Sequence, residues 1–194
     1  MSLSVDELRK TVANLKNEGL NSQQIADELS LSQDTIAWLS SSNEGQEQPQ
    51  DVRIGWRTIG VRPIRTEAMA TIFADVLLEE VGEEGVDSIV GISLNGILFA
   101  NEIAKFLDTE VSIHRNVDGG PGQGSLSNKY GQVNGKRIAI VDDVLSSGTT
   151  MRNTISMMRE MGAEVALCMV LVNKTPLNEI EEVPLRGIIR AVAV

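Results

Sequence analysis

At 194 residues the chain has room for one medium-sized domain and a small companion. Its 27 Asp and Glu against 17 Lys and Arg, with a sequence pI near 4.6, exclude broad electrostatic adhesion to nucleic acid, so any DNA contact has to be local. No apolar run approaches the roughly 18 residues of a membrane span, Met1 leads into a polar helix pattern instead of a signal peptide, and the single Cys168 excludes an intrachain disulfide; a cytoplasmic protein without membrane contact is expected.

Ser4 and Glu7 stand at capping-box spacing, and Val5, Leu8, Val12 and Leu15 follow at intervals of three and four, which predicts a first helix ended by Gly19. Asn21 is placed to cap a second short helix carrying Ile25, Ala26 and Leu29. Ser30-Leu31-Ser32 then turns the chain into a third helix over 33–39, with Ile36 and Leu39 inward. Two short helices across a tight turn, with small Ala26 at their crossing, resemble a helix-turn-helix over residues 1–40. In that arrangement Ser32, Gln33, Asp34, Thr35 and Ala37 face the major groove, where Gln and Ser/Thr suit base edges, and Trp38 is a packing residue. A helical cap or dimerisation module is the competing reading. Residues 1–40 carry only Arg9, Lys10 and Lys16 against Asp6, Glu7, Glu18, Asp27, Glu28 and Asp34, and phosphate contacts supply most nonspecific affinity.

From Ser40 the sequence SSSNEGQEQPQD is polar and nearly devoid of apolar residues, which places a linker over 41–51 and starts a second domain, 52–194, after it. Arg53, Arg57, Arg62 and Arg65 follow closely. By chain order they suit an anionic ligand or a dimer interface better than DNA. Thr66 is predicted to cap a helix bearing Ala68, Met69, Ile72, Phe73, Val76 and Leu77. Strands over 86–93, 110–114, 137–142, 165–172 and 187–194 alternate with helices over 95–107 and from near Gly148 to Met161. That alternation specifies an α/β domain, a parallel sheet flanked by helices with its ligands beyond the carboxyl ends of the strands.

Residues 138–150, Ile-Ala-Ile-Val-Asp-Asp-Val-Leu-Ser-Ser-Gly-Thr-Thr, are the most specific stretch. A strand fit for burial on both faces ends in two carboxylates, and a Ser/Gly/Thr turn opens the next helix. Backbone N–H groups at a helix start, with the hydroxyls of Ser146, Ser147, Thr149 and Thr150, suit a phosphate monoester, and Asp142 and Asp143 suit sugar hydroxyls. An ordinary polar turn of a doubly wound domain is the plain alternative. A phosphoacceptor receiver domain also begins with such a strand, but only 51 residues follow Asp143, too few for the rest of one.

This segment resembles the phosphoribosyl pyrophosphate (PRPP) motif of type I phosphoribosyltransferases, most nearly the orotate type. The resemblance implies that Asp142 and Asp143 hold the ribose 2- and 3-hydroxyls, and that Ser146, Ser147, Gly148, Thr149 and Thr150 hold the 5-phosphate. By the same resemblance Ser93, Leu94, Asn95 and Gly96 form the pyrophosphate loop. The Gly-rich segment between His114 and Lys136 takes the place of the flexible catalytic loop, and its composition predicts mobility. In the orotate enzymes an Arg-Lys pair, a second Lys and a His-Gly follow that strand. Here only Arg115 matches: Asn116 stands where a Lys is expected, and Lys129 lies far downstream. Displacing pyrophosphate builds negative charge that cations on a closing lid stabilise. Binding is therefore expected to survive while turnover falls, no residue is assigned a catalytic role, and His114 reads as structural.

Over both domains the chain resembles archaeal regulators of the GfcR type, in which a helix-turn-helix is coupled to an orotate phosphoribosyltransferase-like domain. The resemblance implies a transcriptional regulator of sugar or nucleotide metabolism genes, with operator DNA as partner and PRPP, a nucleotide or a sugar phosphate as effector. A homodimer is expected, since one short recognition helix seldom gives enough affinity. No cofactor is expected for DNA binding and no direct metal ligand; Mg2+ enters only with PRPP. The alternative is an active orotate-type phosphoribosyltransferase with an appended helical domain, and a third reading is a sugar-phosphate-binding protein with neither activity.

Overall fold

The computed structural model describes residues 4–41, 49, 51–55, 57–116 and 124–192. It divides into two compact units, with the break before Arg57.

The first unit holds three helices, α1 (Val5–Asn17), α2 (Ser22–Leu29) and α3 (Gln33–Ser40). Each start is fixed by the side chain that the spacing singles out. Ser4 Oγ accepts the Glu7 N–H at 3.3 Å while the Glu7 carboxylate accepts the Ser4 N–H at 2.7 Å, and Asn21 and Gln24 repeat the exchange at α2. Ser32 caps α3 through the Thr35 N–H at 3.2 Å. The inward residues Val12, Ile25, Ala26, Leu29, Leu31, Ile36 and Leu39 form one buried cluster. Arg9 stacks over the Trp38 ring at 4.8 Å and donates to the carbonyls of Leu39 and Ser41, so it fastens α1 to the end of α3.

The chain does not leave this unit at residue 41. Asp51 Oδ2 accepts the Ser32 N–H at 2.7 Å and the Thr35 hydroxyl at 2.8 Å, and Arg53 Nε donates to the Leu29 carbonyl at 3.4 Å. The reason is local: N–H groups in the first turn of a helix have no helical acceptor, and a carboxylate nineteen residues on satisfies one of them. Residues 42–48 and 50 of the expected linker lie outside the described residues.

The second unit is a seven-stranded mixed sheet, β1 (Ser88–Ile92), β2 (Glu110–Asn116), β3 (Gly124–Leu126), β4 (Arg137–Leu145), β5 (Glu164–Asn173), β6 (Glu179–Ile180) and β7 (Val183–Arg190), in the order β3-β2-β1-β4-β5-β7-β6. The five central strands are parallel, as the alternation predicts, and the edge strands β3 and β6 are antiparallel. A short helix α4 (Arg57–Gly60) precedes α5 (Pro63–Val81); α6 (Asn95–Leu107) and α7 (Thr149–Glu160) complete the unit. All of β1 is buried, as parallel strands require. On one face Val90, Ile92, Ile140, Cys168 and Val170 pack with Met151, Ile155 and Met158 of α7. α5 and α6 pack together through Phe73 and Phe99, whose ring centroids are 5.2 Å apart, and α6 lies on β1 and β4.

Three expectations shift. The helix expected to be capped by Thr66 begins at Pro63, whose fixed φ suits a first helical position, and Thr66 is buried in its first turn. The strand expected over 137–142 continues to Leu145, paired with β5 as far as Asn173, so Asp142 and Asp143 lie within it. The last strand is Val183–Arg190, because Glu181 and Glu182, at φ 49° and 62°, make the tight turn that pairs Val183 with Ile180.

Candidate functional site

Four chain segments end at the carboxyl edge of the parallel strands. The first, Ser93 to Gly96, joins β1 to α6. The Ser93 N–H donates to the His114 carbonyl at 2.9 Å, the Ser93-Leu94 peptide is cis, and the Leu94 side chain is exposed. Asn95 Nδ2 donates to Asp143 Oδ2 at 2.9 Å, which joins this loop to the acidic strand end. Gly96 is obligatory: a Cβ there would collide with the Val141 carbonyl, so only glycine lets α6 start this close to β4.

The second segment is the turn from β4 to α7. Asp142 and Asp143 are half-buried, and Asp142 Oδ1 accepts the Asp143 N–H at 2.9 Å. Gly148 at φ +80° turns the chain into the helix, whose first N–H groups are left without helical acceptors. Ser147 and Thr149 hydroxyls stand 3.0 Å apart, and Thr149 and Ser147 are exposed. Ser146, Ser147, Gly148, Thr149 and Thr150 thus form a cradle of N–H and O–H groups, 146–150, one residue beyond the strand that carries both acids.

A cation missed in the sequence completes this corner. Arg152, one turn after Gly148, donates to the Ser147 carbonyl at 3.2 Å, and its Nε is 3.7 Å from Glu181. Its position was readable from helical spacing, but nothing in the residue type distinguishes it from a surface arginine.

The third segment joins β2 to β4 and only partly matches the expected mobile loop. Residues 117–123 lie outside the described residues. From Gly124 the chain forms β3, with Leu126 paired to His114, and Ser127 and Val133 buried. The Ser127 N–H donates to the Ile113 carbonyl at 2.9 Å and the Gly131 N–H to that of Val111 at 2.8 Å. Leu126 and Val133, isolated in a Gly-rich run, supply enough apolar contact to dock it. Arg115 Nη2 donates to Ser127 Oγ at 3.2 Å, and Lys129 is exposed. His114 is 2 % exposed, and burial pushes its imidazole down to about 4. Its Nδ1 lies 3.3 Å from Thr154 Oγ1.

The fourth segment leaves β5 at Asn173, whose buried side chain accepts from the Thr175 N–H and hydroxyl and donates to the Leu177 carbonyl, folding the turn toward β6.

In the helical unit, Gln33, Asp34 and Ala37 are exposed on one side of α3 and Ser32 is half-buried. Thr35 is the exception: it is buried and its hydroxyl is bound to Asp51, so it cannot share a reading face with them. Helical spacing places Thr35 on α3 but carries no sign of its acceptor, Asp51, which lies beyond a polar stretch without periodicity.

The sequence model of the family described as "Phosphoribosyl transferase domain" matches residues 55–188. The transcriptional regulator GfcR of Thermoplasma acidophilum is 39% identical, with 96% of each chain covered, and that of Methanocella arvoryzae is 35% identical, covering 96% of this chain and 97% of its own. Among solved structures, orotate phosphoribosyltransferase from Aeropyrum pernix superposes with a TM-score of 0.57 at 21% identity, covering 76% of this chain and 83% of its own, a likeness of fold.

Proposed function

The chain belongs to the phosphoribosyl transferase domain family and, over nearly its whole length, to the family of the GfcR transcriptional regulators, and from that premise we propose that it is a DNA-binding regulator whose sheet domain senses a phosphorylated ribose. The observation that carries this reading is that the likeness to named regulators runs through the helical unit as well as the sheet. The effector, PRPP or a related nucleotide or sugar phosphate, sits with its 5-phosphate on the N–H groups and hydroxyls of 146–150. Its ribose hydroxyls donate to Asp142 and Asp143, and its pyrophosphate lies along Ser93 to Gly96. Mg2+ enters with the pyrophosphate oxygens of PRPP; among the described residues no group of three or more His, Cys, Asp or Glu offers it a site of its own. Gln33, Asp34 and Ala37, with the Ser32 turn, form the face offered to operator DNA, a homodimer supplies paired half-sites, and the genes controlled belong to sugar or nucleotide metabolism. Such a regulator works in the cytoplasm.

The alternative, an active orotate-type phosphoribosyltransferase, draws on the same cradle. Against it stands the segment from the end of β2 to β4. In its described part Arg115 is tied to Ser127, Lys136 is paired with Glu110 and Lys129 is exposed, so little charge is held ready for a departing pyrophosphate.

Two measurements decide between the readings. Calorimetry with PRPP, paired with a gel shift on the promoter of the protein's own gene with and without PRPP, is expected to show binding and a change in DNA affinity. Release of pyrophosphate from PRPP with orotate, and no shift of any promoter fragment, would establish the enzyme instead.

A further inference from the structure

His114 touches three of the site's segments, one through its backbone carbonyl and two through its ring. Its carbonyl accepts the Ser93 N–H of the β1–α6 loop at 2.9 Å. Its ring stands 3.3 Å from the hydroxyl of Thr154, a fully buried residue on α7. That hydroxyl donates to the Thr150 carbonyl at 2.9 Å, in the first turn of the phosphate cradle. With its only proton engaged there, Thr154 Oγ1 can only accept from the imidazole, so Nδ1 carries the ring hydrogen and Nε2 is a bare lone pair. Among the described residues Nε2, which is buried, has no hydrogen-bond partner. It faces β3: a Cβ on Gly124 would collide with Nε2, so the strand can lie over the ring only because residue 124 has no side chain.

An unpaired acceptor under a strand is an unfavourable arrangement, since its desolvation is not offset by a hydrogen bond. Leu126 and Val133 pin the far end of β3, but at Gly124 the strand lies directly on the ring, so a movement of the ring bears on the strand at that point. Among the described residues the ring's hydrogen bond is the one to Thr154, which sits one turn after Thr150 on α7. We propose that His114 is a positioning residue that couples phosphate occupancy of 146–150 to the docking of β3, through Thr150, Thr154 and the imidazole. A phosphate that orders the first turn of α7 fixes the Thr150 carbonyl, hence the Thr154 hydroxyl, hence the plane of the ring against Gly124. This rests on the cradle reading above and adds to it the route by which occupancy reaches the neighbouring segment.

The experiment uses the full chain and ribose 5-phosphate as probe, with binding followed by calorimetry and the Ser125 to Ser127 amides by hydrogen exchange. In the unsubstituted protein, saturating ribose 5-phosphate is expected to slow exchange of these amides at least about fivefold, the lower end of ordinary coupling between sites. Thr154→Val keeps the shape and removes the hydroxyl. It should bind the probe within about threefold of the original yet lose the slowing, since coupling and affinity are separate free energies. Thr154→Ser should restore it, and His114→Phe should behave like the valine variant. A role confined to stability would lower the melting temperature but leave the ligand-induced slowing in place. Slowing of full size in Thr154→Val, or binding without any slowing in the original chain, overturns the coupling and leaves the cradle intact. Absence of ribose 5-phosphate binding in the original chain overturns the cradle, and the coupling with it.

Discussion

The β4–α7 turn and the β2–β4 connection leave the same sheet edge by opposite means. The first is three residues long, turns on Gly148 at φ +80°, and offers backbone N–H groups backed by hydroxyls and Arg152. The second carries a small strand, β3, pinned by Leu126 and Val133; in its described part its cations are Lys129 and Lys136, the latter paired with Glu110, with Arg115 at the end of β2 tied to Ser127. Holding a phosphoryl group needs directed donors, which a helix start supplies from the backbone. Driving off a pyrophosphate needs mobile positive charge that closes over it, which has to come from side chains. The described residues supply directed donors at the first and few unpaired cations at the second, which agrees with the proposed sensing role.

The contrast can be broken at several points, in decreasing order of expected effect. Gly96→Ala forces a Cβ into the Val141 carbonyl and should cost about 3 kcal/mol, the upper end for overpacking, since backbone cannot step aside. Thermal unfolding measures it; an unchanged midpoint would mean that α6 can shift away from β4.

Acid attacks the other connection. The folded-state value of His114 lies near 4 against an ordinary 6.5, so its contribution is fully present above pH 6.5 and is lost as pH falls from there toward 4. The full difference is up to about 3 kcal/mol. Denaturant unfolding at pH 7 and pH 4.5 should show this loss, and His114→Gln should remove most of the difference from the pH profile.

Asp143→Asn keeps the shape of the strand end but removes the charge proposed to receive the ribose hydroxyl, and calorimetry should show PRPP binding weakened by about 2 kcal/mol. The fold should be untouched, because the bond from Asn95 requires only an oxygen acceptor. Retained affinity would show that the acids do not hold the ribose. The smallest effect lies in the helical unit, where Asp51→Ala leaves the Ser32 N–H and the Thr35 hydroxyl without their acceptor and should lower stability by about 1 kcal/mol, the usual worth of such a cap. Gln33→Ala in the same unit should weaken operator binding without changing stability, as a reading contact does and a cap does not.

Much of this architecture was legible in the sequence because its signals are local. The capping box at Ser4, the cap at Asn21, the helix over 95–107 and the existence of the five central strands, though not the ends of β4 and β7, follow from spacing alone. The sequence by itself also brought together the acids and the hydroxyl-rich turn, since strand, turn and helix are contiguous within residues 138–150. Tertiary structure alone decided what depends on partners distant in the chain. Thr35 was withdrawn from the reading face by a carboxylate sixteen residues away, β3 was made from a Gly-rich run by two apolar side chains that find the core, and His114 was enclosed by a glycine ten residues on and a threonine forty residues on. Periodicity records which way a residue faces within its own element. Which group meets it there is fixed only when the elements pack, because burial makes a hydrogen-bond partner obligatory without saying where in the chain it comes from.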